Sequence, residues 1–193
     1  MKRKACFLDR DGVVIVDKDY LAHPHEVVLT PNAAQSIKKL NDANYLVIIV
    51  SNQSGVARGY FPEDAINDVH ERIRFLIDDE AKAVIDKFYY CPHHSKGAVA
   101  PYNIDCECRK PKLGMFQQAA QDFNLDIENS IMVGDKLSDI QAGNDFGCIK
   151  SFLVKTGHGL ESLADYSTKK YPQLKFNVAG DLSEVVDQIL RNK

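Results

Sequence analysis

The feature that most constrains the fold is a short apolar run, near the start of the chain, that ends in two acidic residues. Residues 5–8 read Ala-Cys-Phe-Leu, and Asp9 and Asp11 follow on either side of Arg10. Such a run is typical of a strand buried on both faces of a parallel sheet. Ligands bind at the carboxyl ends of these strands, so the two acids indicate a functional site rather than solvated loop residues. Gly12 then allows a tight turn.

The rest of the chain alternates strand and helix patterns. Apolar runs predict further buried strands at 45–50, 86–90, 130–133 and 149–154, with a short last strand at 174–178. Helical spacing of apolar residues predicts helices that start at Pro31 and Pro62, surround Phe116, cover 138–145 and begin again at Leu182. Residues 160–173 receive no assignment. The alternation predicts an α/β fold with a mostly parallel sheet and right-handed crossovers, as a single domain over 1–193.

Composition and charge exclude several classes of protein. The net charge of −3 gives no general attraction for nucleic acid, and no apolar stretch approaches the length of a membrane span. The basic start is followed by only about four apolar residues, too few for a signal peptide. Five cysteines, an odd number, argue against a disulfide framework. We therefore expect a cytoplasmic monomer that binds neither nucleic acid nor membrane.

Polar residues accumulate where the predicted strands end. The parallel sheet would bring the following residues to one edge: Asp9, Asp11, Ser51, Asn52, Asp135 and, from the loop after the third strand, Lys110. Carboxylates suit Mg²⁺, and a lysine with a hydroxyl can hold phosphate oxygens. One aspartate can attack phosphorus while a neighbouring acid moves protons. The set predicts a phosphoryl-transfer site.

Four segments resemble, in order, the four motifs of the haloacid dehalogenase (HAD) superfamily of phosphatases. They are D-R-D-G-V-V at 9–14, S-N-Q at 51–53, R-K-P at 109–111 and G-D-K-L-S-D at 134–139. The resemblance implies a Rossmann-like core with helices on both faces of the sheet. The loop at 13–30 is too short for a cap domain, so we expect a capless enzyme.

The same resemblance assigns roles within the site. It implies that Asp9 is the nucleophile, forming an aspartyl-phosphate, and that Asp11 is the general acid and base. Ser51 and Lys110 would hold the transferring phosphoryl group. It further implies a catalytic Mg²⁺ bound by Asp9, the backbone carbonyl of Asp11, and Asp135, with Asp139 supporting the metal site.

A loop at 91–112 combines cysteine, histidine, glycine and proline with little periodicity. Three thiolates and one imidazole form a closed tetrahedral zinc site, with the candidate ligands Cys91, His93, Cys106 and Cys108. His94 is the alternative to His93, and three unrelated thiols are the alternative to any metal. A site with four protein ligands has no open position, so the predicted Zn²⁺ is structural. We expect it to fix the adjacent Arg109 and Lys110 against the substrate.

The zinc loop narrows the resemblance to the histidinol-phosphatase-type branch, and within it to the heptose bisphosphate phosphatases. The segments D-K-D-Y at 17–20, S-N-Q-S-G-V-A-R-G at 51–59 and C-R-K-P at 108–111 carry this resemblance. It implies removal of the 7-phosphate of D-glycero-D-manno-heptose 1,7-bisphosphate, in the synthesis of nucleotide-activated heptose for cell-surface polysaccharide. It implies substrate contacts from Asp17, Lys18, Asp19, Tyr20, Ser51, Asn52, Gln53, Ser54, Arg109 and Lys110. Arg58 and His158 are further candidates.

Three other functions remain open at this point. A histidinol-phosphate phosphatase would share the motifs and the zinc loop. A nucleic-acid end phosphatase would use the same open site, but the acidic chain has no basic, aromatic-rich stretch. A non-catalytic zinc-bearing module would be expected to lack a catalytic residue, whereas Asp9, Asp11, Lys110 and Asp135 are all present.

Overall fold

The computed structural model describes residues 2–167 and 173–191, and its six strands form one parallel sheet. The strands are β1 (Ala5–Leu8), β2 (Leu46–Asn52), β3 (Lys87–Cys91), β4 (Ile131–Gly134), β5 (Lys150–Val154) and β6 (Asn177–Ala179). Their order is β3-β2-β1-β4-β5-β6. The chain winds outward from β1 in one direction and returns to the other side at β4. This reversal opens a crevice beyond the carboxyl ends of β1 and β4, and the predicted α/β fold is confirmed.

Helices cover both faces of this sheet. They are α1 (Ala33–Asp42), α2 (Gly55–Arg58), α3 (Asp64–Ala81), α4 (Gly114–Asp122), α5 (Leu137–Phe146), α6 (Gly159–Ser167) and α7 (Leu182–Arg191), with single 3₁₀ turns at Pro24–Glu26 and Ile127–Asn129. Successive side chains of a strand point to opposite faces. Cys6 and Leu8 accordingly belong to the core that α1, α3 and α7 cover, whereas Ala5 and Phe7 belong to the core beneath α4 and α5.

Aromatic packing fixes β1 within the second of these cores. The ring of Phe7 lies 4.8 Å from that of Phe116 and 5.8 Å from that of Phe146, centroid to centroid. All four residues of β1 are fully buried. The strand that carries Asp9 is therefore held rigidly in the middle of the molecule.

Several element boundaries differ from the sequence prediction. Helix α1 begins at Ala33 rather than Pro31, after Asn32 in a left-handed conformation with a φ of 59°. Strand β2 continues through Ser51 and Asn52, which pair with Tyr90 and Cys91 of β3. The polar residues at this position thus lie in the sheet rather than in a loop beyond it.

The prediction of a strand at 174–178 is wrong in its bounds. Strand β6 begins only at Asn177, and Leu174 instead packs with Ile140 and Leu153 beneath α6. The Phe176 ring lies 4.7 Å from the Tyr166 ring in the same cluster. The alternation of apolar residues reflects this local packing and not pairing within the sheet.

Two helices had no counterpart in the sequence prediction. Helix α2 is a single turn within the S-N-Q-S-G-V-A-R-G segment, and α6 occupies the first part of the stretch left unassigned, of which 168–172 lies outside the described residues. Across residues 2–167 and 173–191, no helix combines the length and apolar character that crossing a bilayer requires.

Candidate active site

The centre of the site is a contact between Asp9 and Lys110, which are far apart in sequence. Asp9 follows β1 directly, and its backbone N–H donates to the carbonyl of Val133 in β4, at 2.9 Å. The Lys110 Nζ donates to Asp9 Oδ1 at 2.8 Å and to the carbonyl of Val50 at 2.6 Å. It also lies 2.7 Å from Asp139 Oδ1. All three charged side chains are buried.

Burial and crowding set the protonation equilibria of these groups. Burial raises the pKa of Asp9 to about 7; Lys110 opposes this rise, and Asp139 and Asp135 add to it. Burial and the charge of Asp139 raise the pKa of Asp135 to about 6. Burial would lower the pKa of Lys110, but the neighbouring Asp139 and Asp9 hold that pKa above its usual value. Asp9 and Asp139 thus share one buried lysine beside Asp135, and further positive charge would stabilise the ionised forms of these acids.

The donor atoms of this cluster fit a magnesium ion. Carboxylate oxygens of Asp9, Asp135 and Asp139 lie within 4.8 Å of one another, and Asp135 Oδ1 is buried with no hydrogen-bond partner among the described residues. Mg²⁺ prefers such oxygen ligands. Asp139 has both oxygens engaged, one by Lys110 Nζ and one by the backbone N–H of Lys136 at 3.0 Å. Because both of its oxygens are engaged, Asp139 is better placed to support the other two carboxylates than to bind the ion itself.

Gly12 allows the first loop to approach the carboxylate cluster closely. Its φ is +80°, in the left-handed region, and a Cβ at this position would lie 2.4 Å from Asp135 Oδ2. Any other residue would combine backbone strain with a steric clash. The same Oδ2 accepts a hydrogen bond from the backbone N–H of His158 at 2.8 Å.

Asp11 is held by Arg10 and Gln53. The Nε and Nη2 atoms of Arg10 donate to its two carboxylate oxygens at 3.0 and 3.1 Å, and Gln53 Nε2 donates to Oδ2 at 2.9 Å. Gln53 Nε2 also lies 2.7 Å from Ser51 Oγ. Burial would raise the pKa of Asp11, but the charge and hydrogen bonds of Arg10, with the bond from Gln53, hold that pKa below its usual value.

A cleft of about 450 Å³ opens beside Asp11. Most of the residues predicted to contact substrate line it: Asp17, Asp19, Tyr20, Asn52, Gln53, Ser54, Arg109 and Lys110. Ser51 lines a smaller adjoining pocket with Asp9. Lys18 is exposed, and its Nζ instead donates to the carbonyl of Glu26 at 2.8 Å.

Arg58 and His158, the two further candidates, both line the cleft. An Nη2 of Arg58 lies 3.4 Å from His94 Nε2, and its Nε is buried with no partner among the described residues. His158 contacts Asp17 Oδ2 at 3.2 Å through Nε2. Arg58 and Arg109 place two guanidinium groups on the cleft wall, so the cleft can accept a second anionic group away from Lys110.

The sequence did not identify three cleft-lining residues with polar side chains: Arg10, Lys136 and Ser138. All three lie inside the motifs that the sequence displayed. Arginine is rarely fully buried unless it is paired, so the residue type alone gave no reason to place Arg10 in the interior. Its position between two acids is the one indication that the sequence offered.

The cysteine and histidine side chains of the 91–112 loop converge. Cys106 Sγ lies 3.4 Å from Cys91 Sγ and 3.3 Å from Cys108 Sγ, while His93 Nδ1 lies 3.3 Å from Cys108 Sγ. All four donor atoms fall within 4.8 Å of one another. This set of three thiols and one imidazole fits Zn²⁺. His94 lies outside it, because its Nδ1 accepts the backbone N–H of Lys96.

Hydrogen bonds join the loop to both α2 and β2. Backbone N–H groups of Ala98 and Val99 both donate to the carbonyl of Ala57 in α2, at 2.7 and 3.0 Å. The Asn52 side chain exchanges two hydrogen bonds with the backbone of Lys110, at 3.0 and 3.1 Å. These contacts tie the loop that carries the cysteine cluster and Lys110 to the segments that carry Arg58 and Asn52.

Comparison with known proteins identifies the family. The HAD-hydrolase-like family model matches residues 107–185. The chain is 42% identical over 160 residues to the D-glycero-beta-D-manno-heptose-1,7-bisphosphate 7-phosphatase of Haemophilus ducreyi, covering 83% of this chain and 87% of that protein. The chain belongs to the heptose-1,7-bisphosphate 7-phosphatase family. It is therefore a phosphatase of the HAD superfamily, as the four motifs predicted.

Other proteins of the heptose-1,7-bisphosphate 7-phosphatase family are also similar to this chain in sequence and structure. The D-glycero-alpha-D-manno-heptose-1,7-bisphosphate 7-phosphatase of Photorhabdus laumondii is 41% identical over 157 residues, covering 81% of this chain and 85% of that protein. A crystal structure of the D,D-heptose 1,7-bisphosphate phosphatase from B. bronchiseptica, complexed with magnesium and phosphate, has a TM-score of 0.84. It is 34% identical and covers 98% of this chain and 99% of that one. The likeness thus extends over nearly the whole chain.

Proposed function

We propose that this chain is a magnesium-dependent phosphatase that removes the 7-phosphate of D-glycero-D-manno-heptose 1,7-bisphosphate. The observation that carries the proposal is the pairing of two cationic positions in one cleft. Lys110 lies beside Asp9 at the buried end, and Arg58 and Arg109 lie on the wall of the cleft. A sugar with one phosphate at each end requires such a pair. Guanidinium groups suit the phosphate that stays on the sugar, because they form forked hydrogen bonds.

Asp9 is proposed as the nucleophile at the buried end. Its carboxylate attacks phosphorus and carries the phosphoryl group as an aspartyl-phosphate until water hydrolyses it. Lys110 Nζ offsets the charge that spreads over the non-bridging oxygens in the transition state, and Ser51 Oγ orients them by a hydrogen bond. Magnesium bound by Asp9, Asp135 and the backbone carbonyl of Asp11 would supply further positive charge to those oxygens.

Asp11 is proposed as the general acid and base. It lines both the pocket around Asp9 and the larger cleft, so it lies where the sugar oxygen would leave. Arg10 and Gln53 favour its ionised form in the free enzyme. Asp11 is therefore proposed to take up a proton as the phosphorylated substrate binds, to donate that proton to the leaving oxygen, and later to accept one from the attacking water. The alkoxide of a sugar is a poor leaving group, so the transfer to the leaving oxygen is needed for the reaction to proceed.

The cysteine loop is proposed to bind a structural Zn²⁺ through Cys91, His93, Cys106 and Cys108. Arg109 follows Cys108 directly, and its Nη1 donates to the carbonyl of His93 at 3.3 Å. The zinc would therefore fix the backbone on both sides of this contact. Its role is to hold the Arg109 side chain toward the cleft and Lys110 toward Asp9.

The proposal is tested by phosphate release from both anomers of the heptose bisphosphate and from histidinol phosphate, measured side by side. We expect kcat/KM for one heptose anomer to exceed that for histidinol phosphate by several decades, and turnover to require Mg²⁺. A preference for histidinol phosphate would keep the chemistry and overturn the substrate. No turnover of any of the three would overturn both.

A further inference from the structure

Arg10 is among the largest fully buried side chains of the described residues, although it carries a charge. It is 1% exposed and lies between the two aspartates proposed to carry out catalysis. Arginine is almost never buried to this degree unless its charge is paired. No step of the proposed reaction uses its side chain, so its burial needs another explanation.

The contacts of Arg10 form a closed arrangement around Asp11. Its Nε and Nη2 donate to the two carboxylate oxygens as a fork, and Nη2 also donates to Gln53 Oε1 at 2.9 Å. Gln53 Nε2 returns a bond to Asp11 Oδ2 at 2.9 Å. Each of the three side chains therefore contacts the other two, and rotation of any one breaks two contacts.

The backbone also fixes this arrangement. The N–H groups of Val14 and Ile15 both donate to the carbonyl of Arg10 at 3.0 Å, and the N–H of Gly12 donates to the carbonyl of Ile15 at 2.8 Å. The chain thus folds back on itself immediately after Asp11. This turn allows the side chains of two consecutive residues to meet, which an extended strand would prevent.

The orientation of Asp11 has a consequence for the reaction, because this residue borders two cavities. It lines the small pocket with Asp9 and Ser51 and also lines the sugar-sized cleft. A carboxylate turned fully into either cavity would be misplaced for a leaving oxygen between them. General acid catalysis requires the acid within hydrogen-bond distance of that oxygen.

We propose that Arg10 is a positioning residue that, together with Gln53, holds the Asp11 carboxylate at the boundary between the phosphoryl pocket and the sugar cleft. The inference rests on the acid role of Asp11 in the proposed function. A lysine at position 10 would supply the charge but not the forked geometry that engages both oxygens. Positioning by Arg10 is therefore expected to depend on its shape as well as its charge.

The test compares two kinds of phosphate ester in the R10M, R10K and D11N variants. A heptose phosphate needs a proton on its leaving oxygen, whereas p-nitrophenyl phosphate releases a stable phenolate without one. Because kcat/KM reports only the steps up to release of the leaving group, it excludes the later step in which Asp11 acts as a base. We expect R10M, R10K and D11N to lose about 100-fold or more in kcat/KM on the heptose bisphosphate. The loss on p-nitrophenyl phosphate should be less than about fivefold.

R74M is the control, because Arg74 is a hydrogen-bonded, partly buried arginine outside the site, and it donates to the backbone carbonyl of Ile85. It should retain the wild-type kcat/KM on both esters. Equal losses on the two esters in R10M would indicate general damage and overturn the proposal. Full heptose activity in R10K would overturn the requirement for a fork.

A crystal structure of R10M separates this inference from the proposed function. We expect Asp9, Lys110 and Asp135 to keep their places while the Asp11 carboxylate rotates away. An unmoved Asp11 would overturn the positioning role, whatever the enzyme hydrolyses. If R10M does not fold, Q53L removes the third member of the arrangement without leaving a buried charge, and the same two readouts apply. If the wild-type enzyme is inactive on the heptose bisphosphate but Asp11 is displaced in R10M, the proposed substrate is rejected and the positioning role of Arg10 is retained.

Discussion

Replacing Lys110 by methionine tests how strongly the buried charges of the site depend on one another. The Lys110 Nζ lies 2.8 Å from Asp9 Oδ1 and 2.7 Å from Asp139 Oδ1, with 1% of its side chain exposed. At an effective dielectric of about 20, each contact contributes about 6 kcal/mol of attraction before desolvation. The cost of burying the lysine offsets much of this. Removing one partner of a buried pair usually destabilises a protein by about 3–5 kcal/mol.

We therefore expect K110M to lower the free energy of unfolding by about 4 kcal/mol at pH 7, measured by urea titration. Lys39 and Asp187 provide the matched control, since their side chains form an ion pair at a similar distance, 3.0 Å, but about half exposed. K39M should lower the free energy of unfolding by less than about 1 kcal/mol. The comparison holds the distance nearly constant and varies the burial.

K110M should also lose activity, for a reason separate from its lower stability. Loss of a preorganised positive charge beside the phosphoryl group typically lowers kcat by about 10²–10³-fold. Folded K110M, confirmed by circular dichroism, is assayed under saturating substrate and Mg²⁺. A K110M variant as stable as K39M, or one with wild-type kcat, would refute the view that Lys110 compensates the buried acids and stabilises the transition state.

Three further predictions concern other parts of the chain. Protein purified without added metal should contain about one zinc per chain by elemental analysis, and the absence of zinc would reject the site. C106S should lose the zinc and melt about 10 °C lower, whereas C148S should keep the zinc content and the melting temperature of the wild type. Burial lowers the pKa of His70 to about 3, so the unfolded chain takes up a proton near pH 6.5 that the folded chain refuses. The stability of the wild type relative to H70F should therefore fall as the pH drops below 6.5, by about 2 kcal/mol at pH 5; parallel pH profiles of the two proteins would contradict this prediction. G12A should prevent close approach to Asp135 and reduce phosphatase activity at least about 100-fold, whereas an active G12A would show that the loop can move aside.

The sheet was predictable because its central strands are buried on both faces. Residues of β1 and β2 form continuous apolar runs that end at polar residues, and this pattern locates the crevice. The bounds of β6 were not predictable in the same way. Leu174 is buried by α6, and a short apolar alternation does not show which partner buries it. Helix α6 itself lies in a mostly polar stretch with little periodicity to reveal it.

The candidate site was predictable as a set of residues but not as a set of contacts. Spacing could not choose between His93 and His94, because the choice depends on the path of the chain after Cys91. Likewise, the sequence placed Lys110 near phosphate but not within 2.7 Å of Asp139. The arrangement of Arg10, Asp11 and Gln53 depends on a turn that backbone hydrogen bonds create, and no local pattern encodes it.

The most direct test of the account follows the reaction of the heptose 1,7-bisphosphate by ³¹P nuclear magnetic resonance, with wild-type enzyme and the D9N variant. We expect the wild type to release inorganic phosphate and to leave the resonance of the anomeric 1-phosphate intact. D9N, folded and supplied with Mg²⁺, should release none. Release of the anomeric phosphate, or turnover by D9N at the wild-type rate, would contradict the assignment of Asp9 and the orientation of the substrate in the cleft.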